Sequence, residues 1–221
     1  MIAEALINQM IPALKHSDTA EKAILWMEEL KTNHLPVIDN GAFKGLISED
    51  MILESNNLDQ KIGDFRLMAE NCYVSEDRHL FDIIRVSQEF DSEIVAILDV
   101  EGRYLGVCMH EDVIKSLSNM LAMKGQGGIL IVKMRAIDYS LAEVSRLIES
   151  DGAKILASFL REDEESVDYV LLTLNINKED LTTIIATLER FGYHIVAKFQ
   201  VENTVTAERE RLDNLLNFLN I

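Results

Sequence analysis

Between residues 18 and 53 the apolar positions first recur at helical spacing and then gather into two short runs. Ala20, Ala23, Ile24, Met27 and Leu30 fall on one helix face, and Ser17 or Asp18 is placed to cap that helix. Leu35–Ile38 and Ala42–Ile47 read as strands. Between them Asp39-Asn40-Gly41 is a tight hairpin turn, because Asn and Gly tolerate the positive φ it needs. A helix from Ser48 to about Leu53 closes the unit. The same order then returns. Asp77 is placed to cap a helix with Leu80, Ile83, Ile84, Ser87 and Phe90 on one face, each 60 residues after its counterpart. Ile94–Leu98 is the strand and Asp99-Val100-Glu101-Gly102 the turn, one residue longer, so Gly106 follows Gly45 at an offset of 61. Self-similarity at this period marks two supersecondary units that close one core together. Ahead of the first, residues 3–10 read as a short helix that Pro12 interrupts, with a brief strand at Pro12–Leu14.

The pattern changes at Ala122–Gly128, where three glycines in four positions make a joint. Ile129–Met134 is an apolar strand. Leu141, Val144, Leu147 and Ile148 mark a helix that Ser150-Asp151-Gly152 stops. Ala153–Leu160 and Val167–Ile176 read as strands, with the acidic Arg161–Ser166 as their hairpin loop. Asp180 starts a helix bearing Leu181, Ile184, Ile185, Leu188 and Phe191, and Ile195–Val201 is the last strand. The order βαββαβ is the ferredoxin-like one. Thr206–Leu219 then predicts an amphipathic helix with Leu212, Leu215, Leu216 and Leu219 on one face. A partner subunit or the chain's own core must cover it, and a homodimer contact is the favoured reading.

Composition narrows the functional classes. At 221 residues the chain holds one large domain or two to three small ones, and 48% hydrophobic residues supply ample core. A net charge of −17 argues against nucleic acid and against an anionic membrane surface, while leaving room for a small nucleotide in a locally neutral pocket. No apolar run approaches a bilayer span. With Glu4 early and no basic region before an apolar run, the N-terminus does not read as a signal peptide. Cys72 and Cys108 sit in apolar runs and read as buried thiols of a reduced compartment, so the expected location is cytoplasmic. No metal spacing, nucleophile with a placed histidine or phosphate loop of the Walker type is present, so no catalysis is expected.

Two stretches carry a family resemblance: Leu35-Pro36-Val37-Ile38-Asp39 with Gly45-Leu46-Ile47-Ser48, and Leu98-Asp99 with Gly102, Gly106-Val107 and Asp112. Residues 1–60 and 61–122 resemble CBS domains, and together a CBS pair, or Bateman module. The resemblance implies two βαββα units packed about a pseudo-twofold axis, with adenine nucleotides (AMP, ADP, ATP) or S-adenosylmethionine in the clefts between them. Residues 128–202, following such a pair, resemble an ACT domain, supported by Asp138 and by Glu149-Ser-Asp-Gly-Ala-Lys-Ile155. Tyr139-Ser140-Leu141 and Lys154 stand where that family usually has a glycine and an asparagine at its amino-acid site. The layout of a CBS pair, an ACT-like domain and a final helix at 204–221 is similar to bacterial acetoin-utilisation-type CBS proteins. The fold class is thus α/β in the α+β sense.

Nucleotide-binding CBS domains often carry Gly-x-x-Ser/Thr-x-x-Asp after the hairpin. Glycine admits close approach of backbone to ligand, the carboxylate accepts from ribose hydroxyls, and the hydroxyl sits at a helix start that favours phosphate. Here the motif is split. The first copy has Gly45 and Ser48 but Met51 at the aspartate position, with Asp50 one residue early. The second has Gly106 and Asp112 but Met109 in place of the hydroxyl, and His110, if protonated, within reach of a phosphate. The candidate ligand residues are therefore Gly45, Ser48, Gly106, His110 and Asp112, and the Asp112 cleft is favoured. Each has a plainer employment: glycines that close hairpins, a carboxylate or histidine at a helix start. His34 lines the first cleft or is structural. Trp26, on the polar side of its helix, is a partner contact or a half-buried anchor. The expected function is a non-catalytic, ligand-sensing regulator that passes its state to a partner through the glycine joint. The alternative is a structural dimerisation module whose sites no longer bind.

Overall fold

The computed structural model describes residues 1–121 and 127–199. They form two compact units that part after Leu117.

In unit 1, β1 (Leu14–Lys15), α1 (Ala20–Leu30), β2 (His34–Asp39), β3 (Ala42–Ser48) and α2 (Glu49–Ser55) make the first copy. The second runs β4 (Tyr73–Ser75), α3 (Leu80–Phe90), β5 (Ile94–Leu98), β6 (Tyr104–Met109) and α4 (His110–Met120). Each copy has one three-stranded sheet, ordered β1-β2-β3 or β4-β5-β6, with a parallel first pair and an antiparallel second. The β2–β3 turn is the two-residue hairpin expected, with φ +49 at Asn40 and +82 at Gly41. Side chains of both sheets and all helices meet in one core that includes Leu14, Val37, Ile83, Ile94 and Val107. The sheets also touch at their hairpin tips, where Ala42 bridges Arg103 and the Tyr104 N–H donates to the Gly41 carbonyl at 2.9 Å.

Local departures from the sequence reading have local causes. Thr19, not Ser17 or Asp18, caps α1 by accepting from the Lys22 N–H; Asp18 instead accepts from the Lys15 N–H and pairs with the Lys22 ammonium at 2.8 Å. His79, not Asp77, caps α3 through Nδ1. The leading helix is only a 3₁₀ turn, Ala3–Leu6, because the next residues leave it to pair with β6. The strand expected at Pro12–Leu14 lies at Leu14–Lys15, where Leu14 registers with Val37. Trp26 is half-buried against the core, with the Lys22 ammonium 4.2 Å from its ring centroid.

Unit 2 contains β7 (Gly128–Arg135), α5 (Leu141–Ser150), β8 (Ile155–Asp163), β9 (Ser166–Ile176), α6 (Thr182–Arg190) and β10 (His194–Phe199). Its antiparallel sheet is ordered β10-β7-β9-β8, the ferredoxin-like topology. Leu130, Val132, Leu172 and Leu174 pack with Val144, Leu147, Ile184 and Leu188 of the two helices. The β8–β9 hairpin is tighter than the acidic loop suggested: Asp163 pairs directly with Ser166, and its carboxylate is anchored by the Lys133 ammonium. Helix α6 begins at Thr182 because Asp180 turns back to accept from the Thr182 N–H. The final strand is described to Phe199. The predicted helix at 204–221, and positions 122–126 of the glycine joint, lie outside the described residues.

Candidate functional site

The candidate residues gather where β3 runs into α2 and β6 into α4, once in each copy. Gly45 lies at a β-bulge: Val37 pairs with Gly45 and Ile38 with Phe43, leaving Lys44 as the extra residue. Gly106 occupies the matching bulge, with Leu105 extra. Both glycines are covered by the chain's own backbone. A Cβ on Gly45 would stand 2.7 Å from the Met68 carbonyl oxygen, and one on Gly106 would stand 2.6 Å from Ile7 Cγ2 and 3.4 Å from the Asn8 oxygen. Hydrogen bonds fix these approaches: Leu46 and Met68 exchange two, at 2.8 and 3.0 Å, and the Asn8 N–H donates to the Val107 carbonyl at 2.7 Å. The segments at 7–8 and 67–68 are thus counterparts, and Met68 lines the cavity at Ser48.

Ser48 is buried and caps α2, its Oγ accepting from the Met51 N–H at 3.3 Å. Asp112 is the third residue of α4. Its Oδ2 accepts from Asn8 Nδ2 at 3.3 Å, and its Oδ1 has no hydrogen bond among the described residues. The repeat places Met51 and Met68 where the second copy has Asp112 and Asn8, so one copy holds a polar pair and the other two thioethers. His110 is held by Ser87: the Ser87 hydroxyl donates its single proton to the Ser92 carbonyl at 2.9 Å and therefore accepts from His110 Nε2–H.

At Ser48 there is a cavity of about 330 Å³, lined also by Glu49, Asp50, Asp91, His34 and Met68. Three carboxylates against one imidazole disfavour a phosphate there. The copies differ in charge at matching positions. Asp91 corresponds to Lys31, each the left-handed residue that ends its helix (φ +47 and +53), and Glu49 corresponds to His110. The Asp112 side is thus the less acidic.

The two copies are cross-linked by Glu93, a residue that the sequence reading did not single out. Its Oε1 accepts from the Thr32 hydroxyl at 2.7 Å and from the Asn33 N–H, and lies 3.7 Å from His34 Nδ1. Burial opposes ionisation of Glu93, but these donors and the histidine outweigh it and hold the carboxyl below its ordinary range. Asn8 was likewise missed, since it fell inside the helix expected at 3–10. Only the offset of 60 to Met68 points to it. Among the described residues no group of three or more His, Cys, Asp or Glu is arranged to hold a metal ion, and no helix is long and apolar enough to cross a membrane.

No family model matches the chain. Among solved structures it is similar to a CBS domain pair/ACT domain protein from Thermotoga maritima, at 21% identity and a TM-score of 0.51, over 55% of this chain and 99% of that one. It is also similar to CBSX2 in complex with AMP (21% identity, TM-score 0.46, 53% of this chain and 96% of that one). A third is the cytosolic domain of the Mg2+ channel MgtE in complex with ATP (19%, TM-score 0.45, 52% and 48%). At these identities the likeness shows the fold alone, that of a CBS domain pair, and the first match carries it.

Proposed function

We propose that unit 1 is a non-catalytic regulatory module that senses an adenine nucleotide (AMP, ADP or ATP) or S-adenosylmethionine in the cleft at Asp112. The observation that carries this reading is the Asp112 carboxylate itself. It is part-exposed at the start of α4, lightly held by one long hydrogen bond from Asn8, and keeps Oδ1 free to accept from a ribose hydroxyl. In this reading the ligand shares Asp112 with Asn8, the Gly106 bulge keeps the wall thin, and His110 at the helix start faces the phosphate side. The ACT-like domain and the glycine joint would relay occupancy to a partner.

The test is thermal shift with the four compounds at millimolar concentration. A ligand at 100 times its Kd adds about 2.7 kcal/mol, which raises the melting temperature by roughly 10–12 °C for a unit of this size. Asp112→Ala reduces the shift. No shift with any of the four sinks the reading; a shift that Asp112→Ala leaves unchanged removes the assignment of that residue.

A second reading is favoured by a different observation: Gly45, Gly106, Ser48 and His110 all have complete structural employment without ligand. On it the chain is a homodimerising interaction module. The helix-free face of the unit 2 sheet presents Ile129, Phe159 and Phe199 to solvent, the first and last directly paired, which supports association of two copies.

A further inference from the structure

We propose that unit 1 carries another binding site, at the hairpin end of its first sheet, for a phosphorylated small molecule with a planar ring, of the nucleoside phosphate class. A cavity of about 610 Å³ opens there, within the range of small-molecule sites. It is lined by Lys44, Arg66 and His16 together with the rings of Phe43, Phe65 and Tyr73. Neither Lys44 nor Arg66 has an ion pair or side-chain hydrogen bond among the described residues. In a chain of net charge −17, where carboxylates outnumber cations 38 to 21, this hollow brings two cations together with neither of them in an ion pair. Glu70 is the single acid in the lining.

The internal repeat supplies a control. Lys44 and Leu105 are the extra residues of the two matching bulges. His16 and Glu76 match because their carbonyls accept from Gly63 and Glu4 in the same turn of each copy. Arg66 precedes Leu67 as Leu6 precedes Ile7, and Tyr73 lies beside Val74 as Ala13 lies beside Leu14, Val74 and Leu14 being paired alike to β5 and β2. The fold is therefore satisfied by Leu105, Leu6, Glu76 and Ala13 at these places. The two cations are additions that the matching places of the second copy lack.

The two groups of residues set the ligand class. Unpaired ammonium and guanidinium groups select a phosphate, and Arg does so bidentately. Phe43 stands edge-to-face with Tyr73 at 6.3 Å and stacks on Tyr104 at 6.4 Å, so an aromatic wall flanks the cations. A planar ring stacks on such a wall. The site shares no lining residue with the Ser48 cavity and contains neither Asp112 nor Asn8.

The experiment is calorimetric titration of the full chain with ADP, adenosine and inorganic pyrophosphate, at two salt concentrations. The proteins are the parent chain, Asp112→Ala, and Lys44→Leu/Arg66→Leu. ADP binds to Asp112→Ala with an affinity that falls as salt rises, pyrophosphate competes for that site, and adenosine alone binds more weakly. The double substitution weakens ADP by about tenfold or more for each cation removed. Leucine stands at both matching positions, so the variant is compatible with the fold; Lys44→Gln/Arg66→Gln shows the same loss. Absence of ADP binding to Asp112→Ala, or ADP binding that neither double variant weakens, overturns the proposal. Failure of the Asp112 cleft shows separately, as a thermal shift that Asp112→Ala leaves unchanged.

Discussion

Replacing Gly45 by alanine puts a methyl group where the chain has room for none. The residue sits at φ +136, a conformation that side-chain-bearing residues rarely adopt, and the added Cβ would meet the Met68 carbonyl oxygen at 2.7 Å. Holding alanine at that φ costs about 1–3 kcal/mol. Relieving the contact means parting Leu46 from Met68, whose two hydrogen bonds contribute about 1 kcal/mol each. The expected loss is about 3–5 kcal/mol. Gly106→Ala has a different outcome. That glycine is not at positive φ, and its nearest neighbour is the Cγ2 methyl of the Ile7 side chain rather than a backbone atom. Its loss is about 1–2 kcal/mol, typical of one added methyl in a packed site. Trp26 is the sole tryptophan and packs against the unit 1 core, so its fluorescence reports that unit during urea unfolding. At about 2 kcal/mol per molar urea, the midpoint falls by roughly 1.5–2.5 M for Gly45→Ala and by less than about 1 M for Gly106→Ala. Equal losses, or a Gly45→Ala loss under about 1 kcal/mol, would refute the reasoning that the chain's own backbone, rather than a ligand, requires this glycine.

Two further outcomes follow from titrating groups. Glu93 is held below its ordinary carboxylate range, so its stabilisation is present above about pH 4.3 and is lost as pH falls through the lower folded value. Glu93→Gln should therefore cost about 1 kcal/mol at pH 7, and the gap to the parent should narrow in acid; a gap constant down to pH 3 in the same urea assay contradicts the cross-link. Burial raises the Cys72 thiol to about 11 and the Cys108 thiol to about 12, the Asp112 charge adding to the latter. At pH 8 neither should react with a disulfide reagent in the native protein, and both should react in denaturant; fast native labelling of either would place it outside the core.

Elements with a local signal were legible in the sequence. The five apolar positions of α1 and their partners in α3, the Asn40-Gly41 turn and the apolar runs of β7 and β9 come from side-chain pattern and turn chemistry, which neighbouring residues determine. The helix caps were displaced by one or two residues, because Thr19 and His79 compete with Asp18 and Asp77, and tertiary contacts decide among near neighbours. The site was the least legible part. Asn8 reaches Asp112 across 104 residues and Glu93 reaches Thr32 across 61, and no local pattern encodes such pairings. Gly45 and Gly106 stood out in the sequence, yet the partner of each is a segment that arrives from the other end of a repeat. The charge contrast between the copies, Asp91 against Lys31 and Glu49 against His110, is visible only once the repeat is aligned residue by residue.

The most direct test of the sensing role is native mass spectrometry of the full chain, freshly purified without added ligand and then with millimolar AMP, ADP, ATP or S-adenosylmethionine. The sensing role predicts a mass increment of an adenosine-bearing compound on each chain, retained or gained, and reduced in Asp112→Ala; the same spectrum reads the subunit number. Unadorned chains under every condition, or identical uptake by the parent and Asp112→Ala, would contradict it.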